Sequence, residues 1–199
     1  MTYRSYRHLA AISIWVLVLA NLVLFIARLV NPELILSLGL QPTTWIERPW
    51  TLVTNLFIHS SIWHIAANMI TLYFFGRLVC MMIGDTRFLI VYFLGGISGN
   101  FFYTLLGSPH SIAIGASGAV FAIGGVLAVM VPKMRVILFP VPVPLPLWIA
   151  VIGGFVIISF FPYVAWQAHL GGLIIGLIAG YFFRRRQRNM LPWKRRPTF

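Results

Sequence analysis

Long apolar runs free of acidic residues decide most of what this chain can become. Six of them fall at about residues 10–30, 62–83, 88–106, 114–131, 147–161 and 167–183. A hydrocarbon core ~30 Å thick takes about 20 helical residues to cross. Lipid also offers backbone N–H and C=O groups no partner outside their own segment, so a spanning element of this kind is a helix. The expected fold class is therefore all-α, a polytopic membrane protein with six transmembrane helices in one bundle. Composition agrees: 60% of the 199 residues are hydrophobic and 9% charged, a balance foreign to soluble domains.

The segments between the runs set the organisation. The first run is too long for a signal-peptide core and carries no small-residue cleavage pattern, so it reads as a retained span ended by Asn31-Pro32. Residues 33–60 hold Pro42, Pro49, Trp45 and Trp50 among short apolar patches, which predicts a loop lying in the interface. Pro140, Pro142, Pro144 and Pro146 alternate with apolar residues and predict an extended, polyproline-like connector. The expected layout is a cytoplasmic N-terminus at 1–9, the six-span domain at 10–183, and a basic cytoplasmic tail at 184–199.

Charge fixes an orientation. With the N-terminus inside, Arg4, Arg7, Arg77, Arg87, Lys133, Arg135 and the seven basic residues of the tail fall on the cytoplasmic side. Only Arg28 and Arg48 fall outside. The net charge of +12 then points to anionic lipid at the cytoplasmic face, not to nucleic acid. The single Cys80 excludes an intramolecular disulfide framework. The short N-terminus lacks a transit signature, so a prokaryotic plasma membrane is the expected location.

Against this background the polar residues inside the runs stand out. Runs two, four and six each place theirs near the outer end: His64 and Asn68, Ser117, and His169. His64 and Asn68 are four residues apart and share a helix face. A nucleophilic serine needs a base within hydrogen-bond reach, and the oxyanion it creates needs fixed donors. Gly172, Gly176 and Gly180 recur every fourth residue on run six, and Gly118, Ala122 and Gly125 line run four. Such faces let two backbones approach closely.

Gly96-Ile97-Ser98-Gly99 repeats the G-x-S-G string of Gly115-Ala116-Ser117-Gly118. Ser98 falls near the middle of run three, where no histidine is expected at its depth, and reads as a packing residue. Other hydrolytic chemistries lack their parts. No histidine is followed by glutamate, as a H-E-x-x-H zinc site requires, and the three acids, Glu33, Glu47 and Asp85, lie outside the apolar runs. An aspartyl pair and a proton-coupled carrier built on a buried acid are disfavoured alike, and no metal or cofactor is expected.

These residues resemble the rhomboid family of intramembrane serine proteases. Three motifs carry the resemblance: Gly115-Ala116-Ser117-Gly118, the H-x-x-x-N pair of His64 and Asn68, and Ala168-His169-Leu170-Gly171-Gly172. It implies Ser117 as nucleophile, His169 as general base and acid, and an oxyanion hole from His64, Asn68 and the Ser117 backbone N–H. Gly115, Gly118 and Gly172 would support the site, and His59 would support the first loop. Substrates would be transmembrane segments of other membrane proteins, admitted laterally near spans two and five. Two positions depart from the family pattern. A Trp-Arg pair of the first loop appears as Trp50-Thr51, with Arg48 nearby, and a tyrosine found four residues after the nucleophile in some members is Phe121. The alternative reading is a catalytically inactive relative that binds membrane-protein clients.

Overall fold

The computed structural model describes residues 12–138 and 141–190, most of them in helices. The expected N-terminal segment 1–9, the last nine residues of the basic tail and Pro140 lie outside the described residues. In chain order the helices are α1 (Ile12–Val30), α2 (Leu34–Leu38), α3 (Thr51–Thr54), α4 (Ile62–Ile83), α5 (Asp85–Leu106), α6 (Ser117–Met130), α7 (Leu147–Ser159) and α8 (Trp166–Met190). A single 3₁₀ turn, Asn55–Phe57, follows α3, and a β-hairpin joins α6 to α7.

Helices α1, α4, α5 and α8 are long and apolar enough to cross a membrane, whereas α6 and α7 have 14 and 13 residues. At 1.5 Å per residue the two short ones reach only about 20 Å. The expected run from 114 is cut at Ser117 because Ala113 is already paired in a β-bridge with Leu40 and Gly115 turns the chain at φ +112°. Both ties pull the entry of α6 inward. At the other end of the bundle α8 continues to Met190, past the expected stop at 183, since arginine and glutamine sustain a helix in water as well as apolar residues do in lipid.

Sorting of side chains follows membrane rules. Helix α1 turns Trp15, Val16, Leu19, Val23 and Ile26 outward, all more than half exposed within the protein. The opposite holds for α6, which has ten of its fourteen residues buried and packs against α4, α5, α7 and α8. That helix can be central because its residues are small. Across the α6–α8 contact, a Cβ added to Gly172 would stand 1.9 Å from the Gly118 carbonyl oxygen, and one on Gly176 2.1 Å from that of Ala122. On the next flank, a Cβ on Gly99 of α5 would meet the Ala168 carbonyl at 2.3 Å. Backbone meets backbone on two sides of the bundle, the close approach that small residues permit.

The proline-rich connector is a paired strand. β1 (Arg135–Leu138) and β2 (Val141–Pro146) run antiparallel with Val136 opposite Leu145. Prolines on every second residue are compatible with this because alternate residues of a strand direct their N–H groups to opposite edges. The Leu147 N–H, of the same parity as Val143 and Leu145, donates to the Met134 carbonyl at 2.7 Å. Pro142, Pro144 and Pro146 therefore present the outer edge, which carries no donors for a further strand.

Candidate active site between the helix N-termini

His64 is the third residue of α4, Ser117 the first of α6 and His169 the fourth of α8, so three helices bring their N-terminal ends to one place. Ser61 caps α4, its hydroxyl accepting from the His64 N–H at 3.1 Å. The His64 ring lies beside Ser60, with Nδ1 and the hydroxyl 3.2 Å apart. One turn on, the Asn68 Nδ2 donates to the His64 carbonyl at 2.9 Å, which uses one of its two protons.

The approach to Ser117 is built from the first loop. Leu40 and Ala113 exchange both backbone hydrogen bonds, Gly115 N–H donates to the Asn55 carbonyl at 2.8 Å, and Ala116 N–H points to His59 Nε2 at 3.5 Å. Gly115 is a glycine for two reasons at once. Its φ of +112° disfavours any L side chain, and a Cβ there would lie 2.6 Å from His64 Nε2. Ser117, Gly118 and Ala119, in the first turn of α6, make no backbone N–H hydrogen bonds among the described residues. Such N–H groups, at the positive end of the helix dipole, form a ready site for a developing anion.

Ser117 Oγ and His169 Nε2 are 2.7 Å apart. His169 is buried, and its Nδ1 has no hydrogen-bond partner among the described residues. Packing holds the ring instead: Phe121 lies against it with centroids 4.7 Å apart and planes 33° from parallel, and is in turn braced edge-on by Phe155. His59 is completely buried and edge-on to His64 at 4.9 Å. Burial, and secondarily the His64 ring, push its pKa down to about 3 against a weaker upward pull from the Phe57 backbone. It is thus neutral, and accepting from Ala116 at Nε2 places its proton on Nδ1.

A cavity of about 680 Å³ opens from this cluster. Ser117, His169, His64 and Asn68 line one end, and the space continues between α4 and α7 along Thr71, Phe75, Gly124 and Val151. Its rim includes Pro162, Tyr163 and Val164 of the α7–α8 loop. Tyr163 is fully exposed and has φ +62°, an uncommon conformation for a residue with a side chain.

Ser98 lies elsewhere, although not for the reason depth would give. It sits level with Gly171, two residues from His169, so the two serines differ little in depth. Direction separates them: the Ser98 hydroxyl faces the Gly171 carbonyl at 3.4 Å, in the α5–α8 contact. Around the first loop, Arg48 donates to the Leu36 carbonyl at 3.1 Å and the Trp50 indole to that of Ser37 at 3.2 Å, so both anchor that loop. Thr51 is turned inward onto the Arg48 carbonyl at 2.7 Å. Sequence reasoning passed over Asn55, Asn100 and Thr71. A polar amide inside an apolar run, as Asn100 is, was the available signal.

Fold and site together define a helical membrane protein carrying a hydrogen-bonded serine–histidine pair at the end of a cavity between its helices. The sequence profile of the Rhomboid domain matches residues 47–186, most of the chain. The chain belongs to the rhomboid family. It is 29% identical over 164 residues to "Rhomboid protein 1, mitochondrial" of Saccharomyces cerevisiae, covering 70% of this chain and 45% of that protein. It is 31% identical over 154 residues to "Rhomboid protease GluP" of Bacillus subtilis, covering 75% and 29% respectively. With "RHOMBOID-like protein 9, chloroplastic" of Arabidopsis thaliana the identity is 35% over 135 residues, covering 67% and 31%. The chain therefore spans less than half the length of these relatives. Their names belong to a bacterium, a mitochondrion and a chloroplast, which gives the expected prokaryotic membrane no support.

Proposed function

We propose that the chain is an intramembrane serine endopeptidase that cleaves transmembrane segments of other membrane proteins. The observation that carries this reading is the 2.7 Å contact between Ser117 Oγ and His169 Nε2 inside a cavity that also holds His64 and Asn68. His169 takes the Ser117 proton as the hydroxyl attacks the scissile carbonyl, then returns it to the leaving amine. No acid pairs with the imidazole, so its orientation rests on Phe121 and the mechanism runs as a dyad.

The tetrahedral oxygen would be met by the Ser117 N–H, the second Asn68 amide proton and His64. If the Ser60 hydroxyl donates to His64 Nδ1, the Nε2 proton is the one left facing the cavity. Each such donor contributes on the order of 10²- to 10³-fold to the rate. A helical amide has its carbonyl engaged and must be unwound before attack. The space between α4 and α7 gives a substrate helix a lateral route to a place where it can open. In this reading all six apolar helices cross the bilayer, with α6 and α7 reaching full depth through the segments that flank them, and the 33–60 segment lies in the interface.

The test is labelling of the detergent-solubilised protein by a fluorophosphonate, alongside cleavage of a model transmembrane substrate. Wild type and Ser98→Ala are expected to label and cleave, Ser117→Ala and His169→Ala to do neither. A folded wild type that neither labels nor cleaves overturns the proposal in favour of an inactive, client-binding protein.

A further inference from the structure

The least expected polar feature of the bundle lies one step behind the site. Asn55, in the 3₁₀ turn, and Asn100, on α5, are both buried to within 2% of their surface. Each amide donates to the other's oxygen, at 2.9 Å from Asn55 Nδ2 and 2.7 Å from Asn100 Nδ2. The second Asn100 amide proton goes to the Leu52 carbonyl at 2.7 Å. An amide pair in which every nitrogen and oxygen has a partner is stable in an apolar interior, but losing one member strands the other at a cost apolar neighbours cannot offset.

The pair matters because of what Asn55 holds with its backbone. Its carbonyl accepts the Gly115 N–H, and Gly115 packs directly against the His64 ring two residues before Ser117. The chain of contact runs from Asn100 on α5, through Asn55, to Gly115 and so to both His64 and the start of α6. Asn100 and Asn55 are absent from the cavity lining.

We infer that Asn100 is a positioning residue for the reaction, clamping Asn55 so that Gly115 keeps the His64 ring and the first turn of α6 in register around the tetrahedral oxygen. This rests on the serine-protease reading above. It assigns α5, a helix with no reacting group, a share in the rate. A misplacement of reacting groups by about 1 Å costs on the order of 10²-fold, so the loss should appear in turnover and not in substrate capture.

The experiment measures kcat and KM for a model transmembrane substrate and the rate of fluorophosphonate labelling. Asn100→Ala is compared with Asn21→Ala, a buried amide of α1 that donates within its own helix, to the Leu17 carbonyl. Asn100→Ala is expected to lower kcat and labelling rate about 10- to 100-fold with KM within about twofold, while Asn21→Ala lowers thermal stability alone. If Asn100→Ala does not accumulate, Asn100→Asp, of equal volume but without the two donors, is read in its place. Combined with His64→Ala, the Asn100 substitution should add less than its single effect, since both act on the same oxygen. A wild-type kcat in folded Asn100 variants, or full additivity with His64→Ala, overturns the inference and leaves the pair a structural contact. A wild type that neither labels nor cleaves rejects the protease reading instead, a result distinct from either.

Discussion

The two flanks of α6 are built on opposite principles. Toward α8 the contact is backbone on backbone, made through Gly172 and Gly176 with no room for a methyl group, and toward α5 a Cβ on Gly95 would stand 2.2 Å from that of Ala122. Toward α7 and the outer part of α4 the same helix faces a cavity, and a Cβ added to Gly153 or Gly154 of α7 would meet nothing within 4 Å. Glycine serves contact on one side and emptiness on the other. The difference separates two requirements of the proposed chemistry. The Ser117–His169 distance is held by the tight flank, where helices cannot slide independently, and a substrate helix needs the loose one. Rigidity and access are placed on different faces of a single 14-residue helix.

The largest expected effect comes from breaking the tight flank. Gly172→Val would force a branched side chain into the Gly118 backbone, where neither partner is a flexible side chain able to give way. Overpacking of this sort costs about 1–3 kcal/mol where side chains can rearrange and more where they cannot. We expect a loss of more than about 3 kcal/mol, seen as a lower unfolding temperature in detergent and absent labelling. A Gly172→Val protein that folds and labels like wild type would show the α6–α8 contact to be looser than the geometry says.

Much of this division was legible beforehand, and the parts that were not share a physical cause. The repeat of glycines at 172, 176 and 180 marks a close helix contact because only that spacing keeps small residues on one face. The serine, the histidines and Asn68 could be placed at corresponding ends of alternate helices from run lengths alone. What run length cannot show is where a helix begins when its first residues are apolar but tied elsewhere. Ile114 and Gly115 look like span and behave as a loop, because Leu40 and Asn55, more than fifty residues away in sequence, hold that strand of backbone. The hairpin at 135–146 was hidden in the same way, since alternating proline fits both a solvated extended chain and the outer edge of a paired strand. In the Asn55–Asn100 pair the amide inside an apolar run marks Asn100, but its partner lies 45 residues away in a loop and nothing local announces the pairing.

A second expectation concerns the loop that meets the start of α6 through His59. The His59 pKa is about 3 in the folded protein against 6.5 for an unperturbed imidazole. The unfolded chain therefore binds more protons between those values, and stability is full above about pH 6.5 and declines as pH falls toward 3. Thermal unfolding at pH 7 and pH 4 should differ by a few kcal/mol at most on this account. His59→Asn, which lacks the titrating group, should flatten the dependence even if it starts lower. An unchanged pH profile in that variant would assign the acid sensitivity to another group.

The smallest effects should come from the loose flank, and they are the sharper test of the contrast. At Gly154 a methyl group enters open space, so Gly154→Ala should leave folding and labelling intact and could gain up to about 1 kcal/mol from helix propensity. Gly154→Leu should also fold, but its side chain would occupy the cavity shared with Thr71 and Gly124. Fluorophosphonate, a small reagent reaching Ser117 from the rim, would then label at near the wild-type rate, whereas cleavage of a transmembrane substrate would fall severalfold through KM. The split between the two readouts is what locates the substrate route: if both fall together the substitution has disturbed the dyad itself. If neither falls, substrate does not pass between α4 and α7, and the openness of that flank must be explained by some other movement of the bundle.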